Sequence, residues 1–316
     1  FYTFQVVSYM VDIYRNTVPV ENSLVSFSTY MTFFPQLIAG PIVRYDELRT
    51  QLSDRQETWH KIADGFCLLM IGLGKKMLLA NPMGELWEGL RALTGNIGIL
   101  GAWAGAAAFT LQIYFDFSGY SDMARGLGRM FGFEIPINFR YPYAAQSIQD
   151  FWRRWHITLS SWFRDYVYIP LGGSRRGAGR TIVNLFAVWV LTGLWHGAAW
   201  NYVLWGVYYF VLLTAERLIG QARLARVPRV LRHFLTMALV IVGWVLFAIE
   251  DFGALGAYLF AMFSLSGGVL STQAAVWVLS YLPLMALAAL ASLPFAADFV
   301  RRKNQSAPVR WGAPVY

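Results

Sequence analysis

Charge is scarce in this chain. Asp, Glu, Lys and Arg together make up 14% of its 316 residues, while 57% are hydrophobic and 17% aromatic. A soluble domain carries nearer a quarter charged residues, so this composition excludes an ordinary soluble globule and indicates a membrane protein. Cysteine is nearly absent. Cys67 is the one cysteine, which excludes an intrachain disulfide, a CxxC redox pair and a thiolate zinc site. It stands in GFCLLM, where a small apolar packing role suits it. No HExxH and no Asp/Asn-rich calcium loop occurs, so no metal is expected. No GxSxG elbow or full phosphate-binding loop occurs either, and GLGK (72–75) lacks the required spacing. The start, FYTFQVVSYM, has neither Met nor a basic leader. It does not read as a signal peptide, and the chain reads as entered partway through. The formal net charge is +8. In a membrane protein clustered Arg marks cytoplasmic loops better than nucleic-acid binding, so no nucleic acid is expected as a partner.

Apolar runs supply the architecture. Several approach the roughly 20 residues that cross a bilayer. Residues 97–115 are the cleanest, 62–80 form another that is interrupted by Lys75-Lys76, and 234–249 and 274–293 follow. Residues 24–39 end in FFPQLIAGP, whose prolines and glycine predict a broken or re-entrant segment. From 116 to 180 the sequence mixes aromatics with Asp, Arg, Ser and Gly. That predicts short amphipathic helices at or dipping into the interface, with GGSRRGAG (172–179) as a flexible turn. The reading is all-α and polytopic, with 1–316 a single transmembrane domain in a lipid environment. Arg153, Arg154, Arg164, Arg175, Arg176 and Arg180 precede one apolar stretch; Arg217, Arg223, Arg226, Arg229 and Arg232 follow the next. The positive-inside rule places both groups in the cytoplasm and makes 181–216 a hairpin with WHGAAWN at its apex. From Thr181 to Trp195 is only about 22 Å of helix at 1.5 Å per residue. The apex is therefore expected within the membrane slab, where an ionisable side chain marks function.

That side chain is His196, between Trp195 and Gly197. Glycine leaves room for close approach and tryptophan shields the ring from water. A ring kept from water is expected neutral, the form a general base needs; the competing reading is a structural histidine bonded to a neighbouring helix. His156, in DFWRRWHITLSSWFRDY, belongs either to an interfacial helix with an aromatic face and a basic edge or to the same site, where it orients substrate or partners His196. Asp116 and Tyr120, four apart in FDFSGYSDMARG, either polarise a histidine and meet substrate or, the preferred reading for Asp116, pair with a cation. Asn201, five residues beyond His196, joins the candidate substrate-binding set. His60 and His233 read as interfacial.

Four blocks in order carry a resemblance: FFPQLIAGPIVRY, QIYFDFSGYSDMARGLGRMFG, NFRYPYAAQSIQDFWRRWHITLSSWFRDYVYIPLGG and TGLWHGAAWNYVLWG. Together they resemble the membrane-bound O-acyltransferase superfamily, in its bacterial alginate O-acetyltransferase branch, over more than three quarters of the chain. The resemblance implies a ring of tilted helices around short core helices, with a central tunnel reachable from both sides. It implies that His196, in LWHG, is the family's catalytic histidine and that His156, in RRWHITLS, is its second. It also implies further helices before Phe1. No bound cofactor is expected. The donor would be acetyl-CoA or another acyl thioester, its phosphates drawn to Arg153, Arg154, Arg175 and Arg176. The acceptor would be a polysaccharide hydroxyl, or a periplasmic or extracellular acetyltransferase partner, outside the inner membrane. Two alternatives stand: D-alanyl transfer from a carrier protein to teichoic acid, and, in another class, a transporter or export channel. The latter would typically show duplicated halves, which this sequence lacks.

Overall fold

The computed structural model describes residues 2–36 and 40–295. Among them there is no strand; the regular structure is helical throughout. Helices α1 (Tyr2–Tyr14), α2 (Leu24–Thr32) and α3 (Tyr45–Asp54) form one flank, around Tyr9, Tyr30, Tyr45 and Phe133. The segment after α2 is broken as expected: α2 stops at Thr32 and a single tight turn follows over Phe34–Gln36. Residues 37–39 of that expected re-entrant stretch lie outside the described residues.

Helices α4 (Trp59–Gly74), α5 (Asn81–Arg91) and α6 (Ile99–Met130) build the centre. The two lysines that interrupt the 62–80 run do not end the helical path. Lys75–Ala80 instead form a widened π turn between α4 and α5, and Lys75 and Lys76 reach across to Asp122 and Asp116 of α6. The expectation for α6 is corrected. The 97–115 stretch is not a span that ends where polarity begins. It continues through FDFSGYSDMARGLGRM as one helix of 32 residues, about 48 Å at 1.5 Å per residue. Two features let so polar a sequence remain a core helix. Its carboxylates are matched by lysines on the neighbouring helix. Its glycines admit that helix at backbone contact: a Cβ at Gly72 would stand 2.5 Å from the Gly119 carbonyl oxygen, and one at Gly65 would stand 2.5 Å from that of Gly126.

After α6 come two short helices, α7 (Ile148–Arg154) and α8 (Ile157–Phe163), then a π turn over Arg164–Tyr168. The single amphipathic helix considered for 150–166 is thus broken in the middle, at Trp155-His156. The long helices α9 (Gly177–His196), α10 (Trp200–Ile219), α12 (Arg229–Ala248) and α14 (Thr272–Ala291) are each long and apolar enough to cross a membrane. The small α11 (Gln221–Leu224) and α13 (Phe252–Phe263) join them. Outward residues such as Phe186, Leu194, Val211, Phe234, Leu279 and Leu290 are exposed, the surface that lipid covers. Small polar caps start several of these helices. Thr58 caps α4, Ser147 α7, Asp251 α13 and Ser271 α14, each side chain accepting a first-turn N–H.

The hairpin of α9 and α10 forms as read, with residues 197–199 as its turn. Its arms are longer than expected. Each has 20 residues, about 30 Å; α9 is lengthened because Gly177–Arg180 are wound into it, three of them taken from the expected turn. Arm length therefore gives no reason to place the apex inside the slab. The equal arms do bring Arg175 and Arg176 to the same end of the hairpin as Arg217 and Arg223.

Candidate functional site

The site forms where α7 meets the far end of the hairpin. Ser147 starts α7, and Glu216, near the end of α10, holds it in place. The Glu216 carboxylate accepts from the backbone N–H groups of Ile148 and Gln149, a charged cap on a short helix. At the same end, Arg232 donates to the Gln146 side chain and His233 lies 3.0 Å from the Ala145 carbonyl oxygen. From there α7 runs inward, and its aromatic residues meet others on three helices. Trp152 packs on Trp189, Trp205 and Tyr209, and Trp155 packs on Trp244.

At the break after α7 stands His156. Its backbone is left-handed, with φ +43°, a conformation a non-glycine residue holds only when its surroundings require it. The surroundings are Asn138. Asn138 accepts from the Ile157 N–H through its backbone oxygen. Its side-chain Oδ1 accepts from the N–H and hydroxyl of Thr158 and lies 3.2 Å from His156 Nδ1. Asn138 thus caps α8 from outside the helix. His156 is 2% exposed, so the interfacial alternative for it is excluded. Its ring meets Phe117 of α6 edge-on at 4.7 Å and Trp195 at 6.1 Å.

His196 also meets Trp195, at a ring distance of 4.8 Å. Trp205 and Phe247 meet it edge-on, both at 5.1 Å, and Tyr202 lies at 6.4 Å. Asn201 is completely buried and acts one step away. Its Nδ2 donates to the carbonyl oxygens of Leu246 and Phe247, which end α12, and so it fixes the Phe247 ring against His196. Buried polar atoms without a hydrogen-bond partner gather at this point: His156 Nε2, Asn201 Oδ1 and the indole nitrogens of Trp152 and Trp205. Each such atom costs about 1–3 kcal/mol if left unmatched.

The structure therefore brings together His156, His196, Trp195 and Asn201. The other candidates make different contacts. Asp116 pairs with Lys76, which supports the structural alternative, and Tyr120 packs against the backbone of Gly40. The α6 residue at the histidine is Phe117. Arg154 is engaged by Asp150 and the Arg140 carbonyl, whereas Arg153, Arg175 and Arg176 are exposed. His60 is exposed and pairs with Asp64. Among the described residues no cluster of three metal-ligating side chains occurs. Two surface clefts, one beside Phe34, Arg55 and Phe131 and one beside Arg15, Arg44 and Tyr166, lie apart from the histidines. Sequence reasoning passed over Asn138, Thr158, Trp205, Phe247 and Glu216. Asn138 left one faint trace, a lone amide in the apolar run EIPINF.

Comparison with known proteins bears on what this arrangement does. Residues 17–252 match the model of the membrane-bound O-acyltransferase family. The chain is 45% identical, over 84% of its length, to the "Probable alginate O-acetylase AlgI" of Pseudomonas aeruginosa, of which it covers 51%. It is 37% identical to the "Peptidoglycan O-acetyltransferase" of Helicobacter pylori, over 76% of this chain and 47% of that one. It is 32% identical to the "Teichoic acid D-alanyltransferase" of Bacillus subtilis, over 58% of this chain and 49% of that one. The chain spans about half the length of the curated relatives it matches.

Proposed function

Because the chain belongs to the membrane-bound O-acyltransferase family, we propose that it forms the acyl-transfer core of an inner-membrane enzyme. The enzyme moves an acetyl group from a cytoplasmic thioester to hydroxyls of an exported polysaccharide of the alginate type, directly or through an acetyltransferase partner outside the membrane. The observation that carries this reading is the pair of histidines that both meet Trp195, beside unpartnered buried polar atoms, at the end of the hairpin farthest from its basic loops. A donor would approach from the basic end, where Arg153, Arg175 and Arg176 attract the phosphates of acetyl-CoA. The acceptor would enter from the opposite end.

In the reaction the acceptor hydroxyl oxygen attacks the thioester carbonyl carbon while His196 takes the hydroxyl proton. Collapse of the tetrahedral adduct breaks the carbon–sulfur bond. The leaving thiolate recovers the proton from His196, so the products are an ester and a free thiol. Polar groups beside the histidines steady the oxyanion. The acetyl branch is preferred to D-alanyl transfer because identity is higher and extends further along the chain toward alginate O-acetylases than toward D-alanyltransferases.

The test uses proteoliposomes loaded with labelled acetyl-CoA and an external alginate oligosaccharide. Labelled ester should appear outside with the wild-type protein and not with His196→Gln. Movement of acetyl-CoA itself across the membrane, without ester formation, would establish a transporter instead.

A further inference from the structure

The hydrogen bonds around Asn138 decide which nitrogen of His156 carries its proton. Thr158 N–H can only donate, and it points at Asn138 Oδ1 at 3.3 Å. That atom is therefore the oxygen of the amide, not its nitrogen. The Thr158 hydroxyl, 3.0 Å away, donates to the same oxygen, since an amide oxygen can only accept, and itself accepts from the Ile42 N–H at 2.9 Å. The other end of the amide, Nδ2, donates to the Ser121 hydroxyl. An amide anchored this way cannot flip without leaving the Thr158 N–H facing a donor. His156 Nδ1, 3.2 Å from the same oxygen, is then stable only as N–H. In a neutral imidazole the other nitrogen, Nε2, is left with a bare lone pair. Nε2 is buried, and no group of the described residues satisfies it.

We propose that Asn138 is a positioning residue that locks His156 as the Nδ1–H tautomer, so that Nε2 accepts a hydrogen bond from a second hydroxyl of the acceptor sugar, beside the reacting one whose single proton goes to His196. The inference rests on the acyl-transfer reading above and refines it: a neutral His156 locked in this way orients the nucleophile and does not donate to the oxyanion. The left-handed backbone at His156 belongs to the same device. Asn138 holds the two residues that follow His156 through the Ile157 and Thr158 N–H groups, and the turn at residue 156 goes with the ring's approach to the same side chain. Asn138 is 1% exposed and Thr158 6%, so water does not compete for the lock. The titratable group that bears on His156 is His196, which shares the Trp195 contact. Asp116 and Asp122 of α6 are taken up by Lys76 and Lys75, and the ring of Phe117 is what α6 presents to His156.

The experiment has two arms on the whole protein in detergent or nanodiscs. The first is nitrogen NMR with 15N-labelled histidine. The chain has four histidines, and His156→Gln assigns the signal. The wild-type spectrum should show one protonated and one bare nitrogen, with the bare one being Nε2. Asn138→Leu should mix the tautomers, while Asn138→Asp, which keeps an acceptor opposite Nδ1, should retain the lock. The second arm is kinetic. Asn138→Leu should lower kcat about 10²-fold or more with KM for the donor little changed. Asn138→Asp should recover most of kcat, with the acid limb of its pH profile moved to higher pH by the added negative charge. Thr158→Val, of similar volume, should fall between them and guards against a folding failure in the leucine variant. A protonated Nε2 in the neutral wild-type ring overturns the lock and leaves the acyl-transfer reading standing. Wild-type protein that carries the tautomer but transfers no acyl group overturns the acyl-transfer reading and the hydroxyl role of Nε2, and leaves the Asn138 lock intact. Equal kcat in the leucine and aspartate variants overturns the positioning role.

Discussion

Two glycines, two residues apart on α4, should respond oppositely to the same added methyl group. At Gly72 a Cβ would lie 2.5 Å from the Gly119 carbonyl oxygen and 2.8 Å from the backbone nitrogen of Met123, whereas at Gly74 it would meet nothing within 4 Å. Ordinary contact begins at 3.4 Å, so Gly72→Ala requires α4 and α6 to separate by most of an ångström along a backbone-to-backbone seam. Overpacking of this kind costs about 1–3 kcal/mol. It is offset by the roughly 0.5–1 kcal/mol gained when alanine replaces glycine inside a helix. The net effect is a loss of up to about 2.5 kcal/mol for Gly72→Ala, against a gain of about 0.5–1 kcal/mol for Gly74→Ala. At on the order of 2–4 °C per kcal/mol, the Gly72→Ala variant should melt below Gly74→Ala by several degrees, up to about 14 °C. The comparison needs one detergent and one scan rate, because unfolding of such proteins is usually irreversible. Equal melting temperatures for the two variants would refute the claim that the polar half of α6 stays in the core because glycine admits α4 at backbone contact.

Four further outcomes follow from other parts of the molecule. His196→Gln should fold and insert normally yet lose acyl transfer by about 10²–10⁴-fold, measured as ester formed per purified protein; near wild-type turnover would make His196 structural. Glu216→Ala removes a charged cap shared by two backbone N–H groups of α7, each such bond being worth about 1.5–3 kcal/mol. Faster hydrogen exchange at Ile148 and Gln149 and reduced kcat are expected, and unchanged exchange would show that α7 is held by its aromatic residues alone. Arg175→Gln with Arg176→Gln should raise KM for acetyl-CoA more at low salt than at high, since exposed charges are screened beyond about 8–10 Å at physiological ionic strength; a salt-independent KM would remove these residues from donor capture. Burial pushes the Asp165 carboxyl up, but hydrogen bonds from Arg164 and Arg44 outweigh it and hold the group below its usual value of 3.8. Its folded-state value is depressed, so the stability it contributes is fully present above pH 5 or so and is lost as pH falls through and below that value. Asp165→Asn should make thermal stability less dependent on pH between about 5 and 3, and an unaltered pH profile would show that the cluster contributes nothing.

How much of this could be read without the structure follows from the range over which each interaction acts. Mean apolarity and helix-length runs depend on neighbours in sequence, so the all-helical membrane class, the hairpin apex at His196 and the spans near 234–249 and 274–293 were legible directly. The boundary of α6 was not. Its continuation past Phe115 depends on Lys75, Lys76, Gly65 and Gly72, which are 40 or more positions away and become relevant only when α4 lies against it. The start of α9 was misjudged for a local reason: Gly177–Arg180 looks like loop, and no signal in the sequence shows that the first turn absorbs it. The two histidines could be singled out because an imidazole among aromatic residues is chemically conspicuous. What places them around one tryptophan is tertiary. Glu216 seats α7, Asn201 ties α12 to the hairpin, and Asn138 turns the chain at His156. These three polar side chains look ordinary in the sequence, since an amide or carboxylate declares its function only through the partner it is buried against.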